Sequence, residues 1–320
     1  MSTSTDHLVS IVVPVFNESQ GLRDFHNSLV AILEEHVKGT YEIVYCNDGS
    51  TDDTYTVLEE LAKHSHTIRV ITLSRNFGKE TATTAGIHAA HGKAIIMIDA
   101  DGQHPVELIP EFIARWNAGS KVVVGVRTKN DQEGIVKHYG SKLFYWLFNR
   151  FTDMKLVPGV SDFQLIDASV QQEFRRLSEH NRITRGLIDW LGFPRDYIYF
   201  KAKARTAGEP TYSFRKLVKL AVDSIVSLSI SPLYITAYIG AVILPLSLLL
   251  VLFMLVNFLL GDPFGVHATG GAYLIVLLLF LVSVVMVSQG IIGLYLSHIH
   301  TETQNRPLYV IDEAKSVRYS

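Results

Sequence analysis

Two carboxylates one residue apart, Asp99 and Asp101, are the residues of this chain best suited to chemistry. They follow an apolar run at 94–98, and Gly102 and Pro105 come soon after them. A buried strand that ends in such a turn places both acids at the carboxyl edge of a sheet, where open α/β folds bind ligands. Carboxylates this close together favour a hard divalent cation, Mg²⁺ or Mn²⁺, whose coordination a substrate's phosphates complete. The motif alone leaves an ordinary solvated turn open as the alternative.

Two earlier segments also predict strands with polar ends. Residues 9–18 are a mostly apolar run that ends in a polar turn, and residues 41–46 lead into an acidic turn at 47–53. Strands that alternate with helices predict βαβ units and a mostly parallel sheet. We therefore expect the polar strand ends to share one crevice. The helices are predicted at residues 21–37, 54–64, 80–91 and 106–118, with a further strand at 121–126.

Five motifs in order along the chain resemble a known family. They are Val-Pro-Val-Phe-Asn-Glu (13–18), Asn-Asp-Gly-Ser-Thr-Asp-Asp-Thr (47–54), Arg-Asn-Phe-Gly-Lys-Glu (75–80), Asp-Ala-Asp-Gly-Gln-His-Pro (99–105) and Ser-Asp-Phe-Gln-Leu (161–165). The chain is similar to the polyprenyl-phosphate glycosyltransferases of the inverting GT-A superfamily, which include dolichyl-phosphate mannose synthase and the bactoprenol glucosyltransferases. Residues 305–310 also resemble the bacterial branch. The resemblance implies an α/β, Rossmann-like GT-A domain.

The resemblance implies transfer of a hexose from a nucleotide-diphosphate sugar to polyprenyl phosphate, with inversion, at the cytoplasmic leaflet. UDP-glucose is the expected donor, and GDP-mannose or another nucleotide sugar remains an alternative. A processive polysaccharide synthase is disfavoured. Such enzymes carry a Gln-x-x-Arg-Trp pattern, and here Arg115 and Trp116 are preceded by Phe112 at the position of the Gln. A non-catalytic membrane scaffold is a third hypothesis, against which the intact acidic motif at 99–103 argues.

The resemblance also assigns roles to individual residues. Asp101 and Gln103 are the expected ligands of a Mg²⁺ or Mn²⁺ ion, and Asp99 is expected to contact either the metal or the ribose. The nucleotide-sugar contacts are Pro14, Glu18, Asp48, Lys79 and Asp99. A purely structural role in the turn remains the alternative for Asp48, and a plain surface charge remains the alternative for Lys79. The catalytic positions are Asp99, Asp101, Asp162, Gln164 and Arg205.

The acceptor phosphate needs cations of its own, because the acidic cluster and the donor diphosphate repel it. Arg127 follows a predicted strand and is the first candidate. Lys137 and Ser141 are four residues apart and share a face of a predicted helix. We therefore predict that Arg127, Lys137 and Ser141 bind the acceptor phosphate.

Two long segments, 224–261 and 263–301, contain no Asp, Glu, Lys or Arg. The mean hydropathy is +0.21, high for a wholly soluble protein. We predict two transmembrane helices at about 233–260 and 272–296, with buried helices of a soluble core as the alternative. Basic residues lie outside both segments, so the positive-inside rule predicts a multi-pass inner (plasma) membrane protein with both termini cytoplasmic. Residues 1–7 are polar and predict no cleavable signal peptide.

Four regions follow from these patterns. They are a cytoplasmic GT-A domain at 1–211, an amphipathic juxtamembrane helix at 212–230, the transmembrane hairpin at 231–300, and a cytoplasmic C-terminal tail at 301–320 whose last residues, 312–320, we expect to be mobile. The expected partners are a nucleotide sugar, a polyprenyl phosphate lipid, the membrane and a possible second copy, without nucleic acid. The single cysteine, Cys46, excludes an intramolecular disulfide and predicts a small core residue.

Overall fold

The structure is a computed structural model, and it describes residues 9–37, 41–128, 159–180, 182–201, a few positions between 249 and 260, and 270–317. The chain divides into two compact units. The first comprises Met1–Tyr145, Met154–Tyr212 and Arg306–Ser320, and the second comprises Trp146–Asp153 and Ser213–Asn305.

Strands and helices alternate through the first five strands of the first unit, as the sequence predicts. In chain order they are β1 (Val9–Val15), α1 (Leu22–His36), β2 (Tyr41–Asn47), α2 (Thr54–Lys63), β3 (Ile68–Thr72), α3 (Lys79–Ala89), β4 (Ala94–Met97), α4 (Ile109–Asn117), β5 (Val122–Arg127), β6 (Val160–Asp167), α5 (Ala168–Phe174), α6 (Thr184–Trp190) and β7 (Arg195–Phe200).

One mixed sheet runs through this unit in the order β3-β2-β1-β4-β6-β5-β7. Four of its strand pairs are parallel, and only the two pairs that involve β6 are antiparallel, among the residues described. Central strands such as β1 are buried on both faces, which explains their continuous apolar sequence. The predicted α/β class with a mostly parallel sheet is confirmed.

Helix α3 packs unusually close to the sheet. A Cβ atom at Gly86 would lie 2.3 Å from Cγ1 of Val12 and 2.9 Å from Sγ of Cys46, so only glycine fits there. Cys46 is fully buried in this contact, as predicted for a small core residue. The close packing fixes the position of α3, whose first residue is Lys79.

The reversed direction of β6 brings acidic residues from two strands to the same edge. Ala94 of β4 pairs with Asp167 of β6, and Met97 pairs with Gln164. Continued by two residues, the same antiparallel register sets Asp99 level with Asp162. A parallel β6 would instead place Asp162 at the opposite edge of the sheet, so strand direction assembles this acidic pair.

Residues 309–317, here called the C-terminal strap, bind the outer edge of β3. Its backbone hydrogen bonds join Val317 to Val70 in both directions, Asp312 to Thr72, and Val310 to Ser74. The Thr72 hydroxyl donates to the carbonyl oxygen of Lys315 at 2.7 Å, and the Thr72 amide donates to Ser316 Oγ at 3.1 Å. The predicted mobile tail is therefore wrong for residues 312–317, because β3 would otherwise expose an unpaired edge.

The described part of the second unit consists mainly of α7 (Gly270–Thr303). The predicted transmembrane hairpin, and with it the multi-pass plasma-membrane location, is corrected here: no helix among the described residues has both the length and the apolarity to cross a membrane. The predicted helix at 212–230 and most of 233–260 lie outside the described residues.

We expect Asp167→Asn to destabilise the first unit in a pH-dependent way. Asp167 caps α5 by accepting from the Ser169 amide at 3.0 Å, and it also accepts from Trp116 Nε1 at 2.8 Å and pairs with Lys121 at 3.1 Å. Burial alone would raise the pKa of Asp167, but its hydrogen bonds lower that pKa to about 2, from 3.8. Because the folded pKa is depressed, this stabilisation is complete above pH 3.8 and is lost as the pH falls through 2.

The effect should be about 1 kcal/mol at pH 7 once solvent screening is included, or roughly 2–4 °C in Tm. Thermal unfolding of both proteins from pH 7 to pH 2 measures it. The Tm difference should shrink below pH 4 and vanish near pH 2. A difference that stays constant would mean that amide geometry, and not charge, makes the cap.

Candidate active site

The turn after β4 carries the acidic motif. Asp101 Oδ1 accepts from the Gln103 amide at 3.0 Å, and Gly102 has φ +72, a value that favours glycine. One ligand atom each from Asp99, Asp101 and His104 lie within 4.8 Å of one another. Sequence analysis assigned no role to His104. Its place in the Asp-Ala-Asp-Gly-Gln-His motif was the available signal.

Arg127, at the end of β5, contacts two residues of this turn, Gln103 and His104. Its guanidinium donates to Gln103 Oε1 at 3.1 Å and lies 3.0 Å from His104 Nε2. The Asp99 backbone amide donates to His104 Nδ1 at 3.4 Å, and Asp99 Oδ2 lies 3.7 Å from the same nitrogen. Burial lowers the pKa of His104 and keeps the ring neutral. His104 and Arg127 thus position the acidic turn.

Lys79 bridges the acidic residues of β4 and β6. Its Nζ lies 2.8 Å from Asp99 Oδ2 and 2.6 Å from Asp162 Oδ2, and 46% of its side chain is exposed. Burial opposes the charge on Lys79, but the two carboxylates raise its pKa overall. Burial likewise opposes the charge on Asp162, and Lys79 and Arg185 lower the pKa of that carboxyl. An ammonium charge therefore stands between two carboxylates at the edge of the sheet.

Asp48 fixes the loop at 75–78, which leads into α3. Its Oδ1 accepts from the Phe77 amide at 2.7 Å and its Oδ2 accepts from the Gly78 amide at 2.9 Å. Burial raises the pKa of Asp48, against the effect of these hydrogen bonds and of Arg75. Asp48 is only 2% exposed, and its contact with the nucleotide stays a prediction.

The remaining predicted residues divide into two groups. Pro14 and Glu18 are half-buried at the end of β1, and Gln164 is buried on β6, where its amide donates to the Ser161 carbonyl at 3.1 Å. Lys137, Ser141 and Arg205 lie outside the described residues. The structure thus brings together Asp99, Asp101, Gln103, Arg127, Lys79 and Asp162.

The acidic turn fits a divalent metal. Two carboxylates on one short turn supply the hard oxygen ligands that Mg²⁺ and Mn²⁺ prefer. Asp99 and Asp101 would hold the ion, and the amide oxygen of Gln103, the third predicted ligand, already accepts from Arg127.

Comparison with known proteins identifies the family. Residues 10–171 match the model described as Glycosyl transferase family 2. An uncharacterized glycosyltransferase of Synechocystis, sll0501, is 37% identical over 311 residues, which cover 97% of this chain and 96% of the relative. The prophage bactoprenol glucosyl transferase homolog of Escherichia coli is 34% identical over 307 residues, covering 96% and 99%.

Among solved structures, mannosyl-3-phosphoglycerate synthase from Rubrobacter xylanophilus has a TM-score of 0.48 and 17% identity, covering 68% of this chain and 71% of that one. The family model covers half of the chain, and the relatives match nearly all of it. The family match extends over most of the first unit, which has the α/β architecture described above. The chain belongs to glycosyltransferase family 2 and is a transferase.

Proposed function

We propose that the protein transfers a hexose from UDP-glucose to a polyprenyl phosphate with inversion. The observation that carries the proposal is the group of Asp99, Asp101 and Lys79 at the carboxyl edge of the sheet, where two carboxylates and an ammonium face one another. The relatives named bactoprenol glucosyl transferase support the choice of glucose and of a lipid phosphate acceptor.

The reaction requires a leaving diphosphate and a phosphate nucleophile. An acceptor phosphate oxygen forms a bond to the anomeric carbon while the bond from that carbon to the diphosphate oxygen breaks, which inverts the configuration and releases UDP. A phosphate monoester has a second pKa of about 6, so the nucleophile is already ionised near neutral pH and needs no strong general base. Asp99 and Asp101 would hold a divalent ion, which would supply positive charge for the leaving group.

The residues of the chain then neutralise phosphate charge and position the acidic turn. The half-exposed ammonium of Lys79 can bind a phosphate oxygen beside Asp99 without leaving its place at the start of α3. Arg127 and His104 hold the turn that bears Asp99 and Asp101. Lys137 and Ser141 remain the predicted contacts of the acceptor phosphate, together with Arg127.

Calorimetry with the full chain tests the donor site, and a transfer assay tests the reaction. UDP should bind in the presence of Mn²⁺ and lose most of its affinity in EDTA. Among UDP-glucose, UDP-galactose and GDP-mannose, UDP-glucose should give the fastest transfer to a short polyprenyl phosphate, and NMR of the product should show the inverted anomer. Absence of UDP binding with Mn²⁺ would favour a non-catalytic scaffold, and faster transfer from GDP-mannose would reassign the donor.

A further inference from the structure

Strand β6 contains a bulge within the motif at 161–165. Its pairing with β5 shifts register there, so that a single residue of β5, Gly125, lies opposite residues 161–163 of β6. The middle residue of this segment is Asp162, whose Oδ2 lies 2.6 Å from the ammonium of Lys79. Bulges are common next to active sites, where they change the direction of a side chain. The shape of this bulge therefore decides where the carboxylate of Asp162 lies.

The hydroxyl of Ser161 closes the bulge. Ser161 is 5% exposed, and its Oγ donates to the Gly125 carbonyl at 2.8 Å and accepts from the Phe163 amide at 3.3 Å. The carbonyl of Ser161 accepts from the side-chain amide of Gln164 at 3.1 Å. A bulge takes backbone groups out of the regular ladder, and a buried backbone group without a partner is costly. Ser161 supplies such partners on both strands.

Strand β5 is shaped to the same bulge. A Cβ atom at Gly125 would lie 2.8 Å from the carbonyl oxygen of Phe163 and 3.2 Å from Oγ of Ser161, so a side chain there would push the two strands apart. The ring of Phe163 is fully buried, and its centroid lies 4.4 Å from that of Phe112. The residues on both sides of Asp162 are thus fixed in the core, while 33% of the Asp162 side chain is exposed at the site.

The position of Asp162 matters because it determines where the charge of Lys79 lies. The ammonium of Lys79 contacts Asp162 Oδ2 at 2.6 Å and Asp99 Oδ2 at 2.8 Å. A lysine side chain is a point charge on a flexible stem, so its partners fix its place more than its own backbone does. A shift of Asp162 would leave the ammonium with one of these two carboxylates.

We propose that Ser161 is a positioning residue for the transfer reaction. Its hydroxyl fixes the bulge and so Asp162, which keeps the ammonium of Lys79 in place for a phosphate oxygen of the nucleotide. The inference rests on the proposed function and adds to it a buried residue that touches no substrate. Small displacements of a positioned group have large effects on a site, which is why a hydroxyl in the core can matter for binding.

The Kd for UDP with Mn²⁺, measured by calorimetry on the full chain, tests the proposal. Lys79→Ala removes a charged hydrogen bond and should raise this Kd by roughly 10- to 100-fold. Ser161→Ala should raise it by roughly 3- to 10-fold, because the ammonium is displaced but not removed. In the Lys79→Ala background, Ser161→Ala should leave the Kd unchanged, because no ammonium remains to be positioned. Gly125→Ala disturbs the same bulge from β5 and should show the same dependence on Lys79.

Ser10→Ala is the matched control. Ser10 is also buried, and its Oγ donates to Glu42 Oε1 at 2.5 Å and accepts from the Gly92 amide at 2.7 Å. It lies near the amino end of β1, at the opposite edge of the sheet from the acidic turn. Both serine variants should lower the Tm, because each loses a buried hydroxyl with two partners, but only Ser161→Ala should raise the Kd for UDP.

Three results would overturn the inference and leave the proposed function standing. They are an equal effect of Ser161→Ala with and without Lys79, an unchanged Kd in both Ser161→Ala and Gly125→Ala, and an unchanged Kd in Lys79→Ala. If UDP does not bind the wild type with Mn²⁺, the proposed function itself fails and the inference fails with it.

Discussion

Replacement of Asp101 by Asn should lower the rate of glycosyl transfer by roughly 100- to 1,000-fold, the size of effect seen when one preorganised charge-stabilising group is removed. The amide keeps the oxygen that accepts from the Gln103 amide, so the turn should retain its shape and the Tm should stay near the wild-type value. The variant loses only the negative charge that a divalent ion requires. Transfer rate, Tm and the Kd for Mn²⁺ measure the three expectations.

Asp53→Asn is the control for this prediction. Asp53 is exposed on the turn after β2, and its side chain makes no capping hydrogen bond to α2, so its loss should leave the rate unchanged. Wild-type activity should also disappear in EDTA and return with Mg²⁺ or Mn²⁺. Full activity of Asp101→Asn, or of the wild type in EDTA, would contradict the metal assignment.

Truncation after Pro307 should destabilise the catalytic unit and weaken nucleotide binding together. It removes the backbone and side-chain hydrogen bonds of the C-terminal strap to β3. It also removes Tyr309 and Ile311, which pack against the core. At about 0.5–1.5 kcal/mol for each hydrogen bond, the loss should reach about 3 kcal/mol or more, which is roughly 6–12 °C in Tm.

Nucleotide binding should weaken because the strap holds the start of the loop at 75–78. The Ser74 amide donates to the Val310 carbonyl at 2.9 Å, and Ser74 directly precedes that loop. A synthetic peptide of residues 306–317 added to the truncated protein should restore part of the Tm and of the UDP affinity. Truncation after Val317 is the control and should change neither. An unaltered Tm after truncation at Pro307 would show that the strap contributes no stability.

The elements that the sequence predicted correctly have local signals. Helices α1, α2 and α4 show apolar residues at helical spacing, and β1, β2, β4 and β5 are short apolar runs that end in polar turns. The Asp99 and Asp101 turn was found in the same way. Those features depend on residues close together in sequence, which is why one sequence was enough to find them.

The features that the sequence analysis missed depend on distant partners. The motif at 161–165 was recognised, but the antiparallel direction of β6 depends on the connection that precedes it, which local periodicity does not reveal. The tie between Arg127 and His104 joins residues on β5 and on the turn after β4. Lys79 was predicted to contact the nucleotide sugar, whereas its two carboxylate partners become apparent only where β4, β6 and α3 meet.

The C-terminal strap is synthesised long after β3, the strand that it pairs with. Thr72 and its partner Ser316 are 244 residues apart, so a ribosome that adds about 5–20 residues per second makes the strap roughly 12–50 seconds after β3. During that interval the outer edge of β3 has no strap to pair with, and an exposed strand edge is a site for association with other chains. The nascent catalytic unit should therefore depend on a chaperone, or on slow folding of β3, until residues 309–317 leave the ribosome.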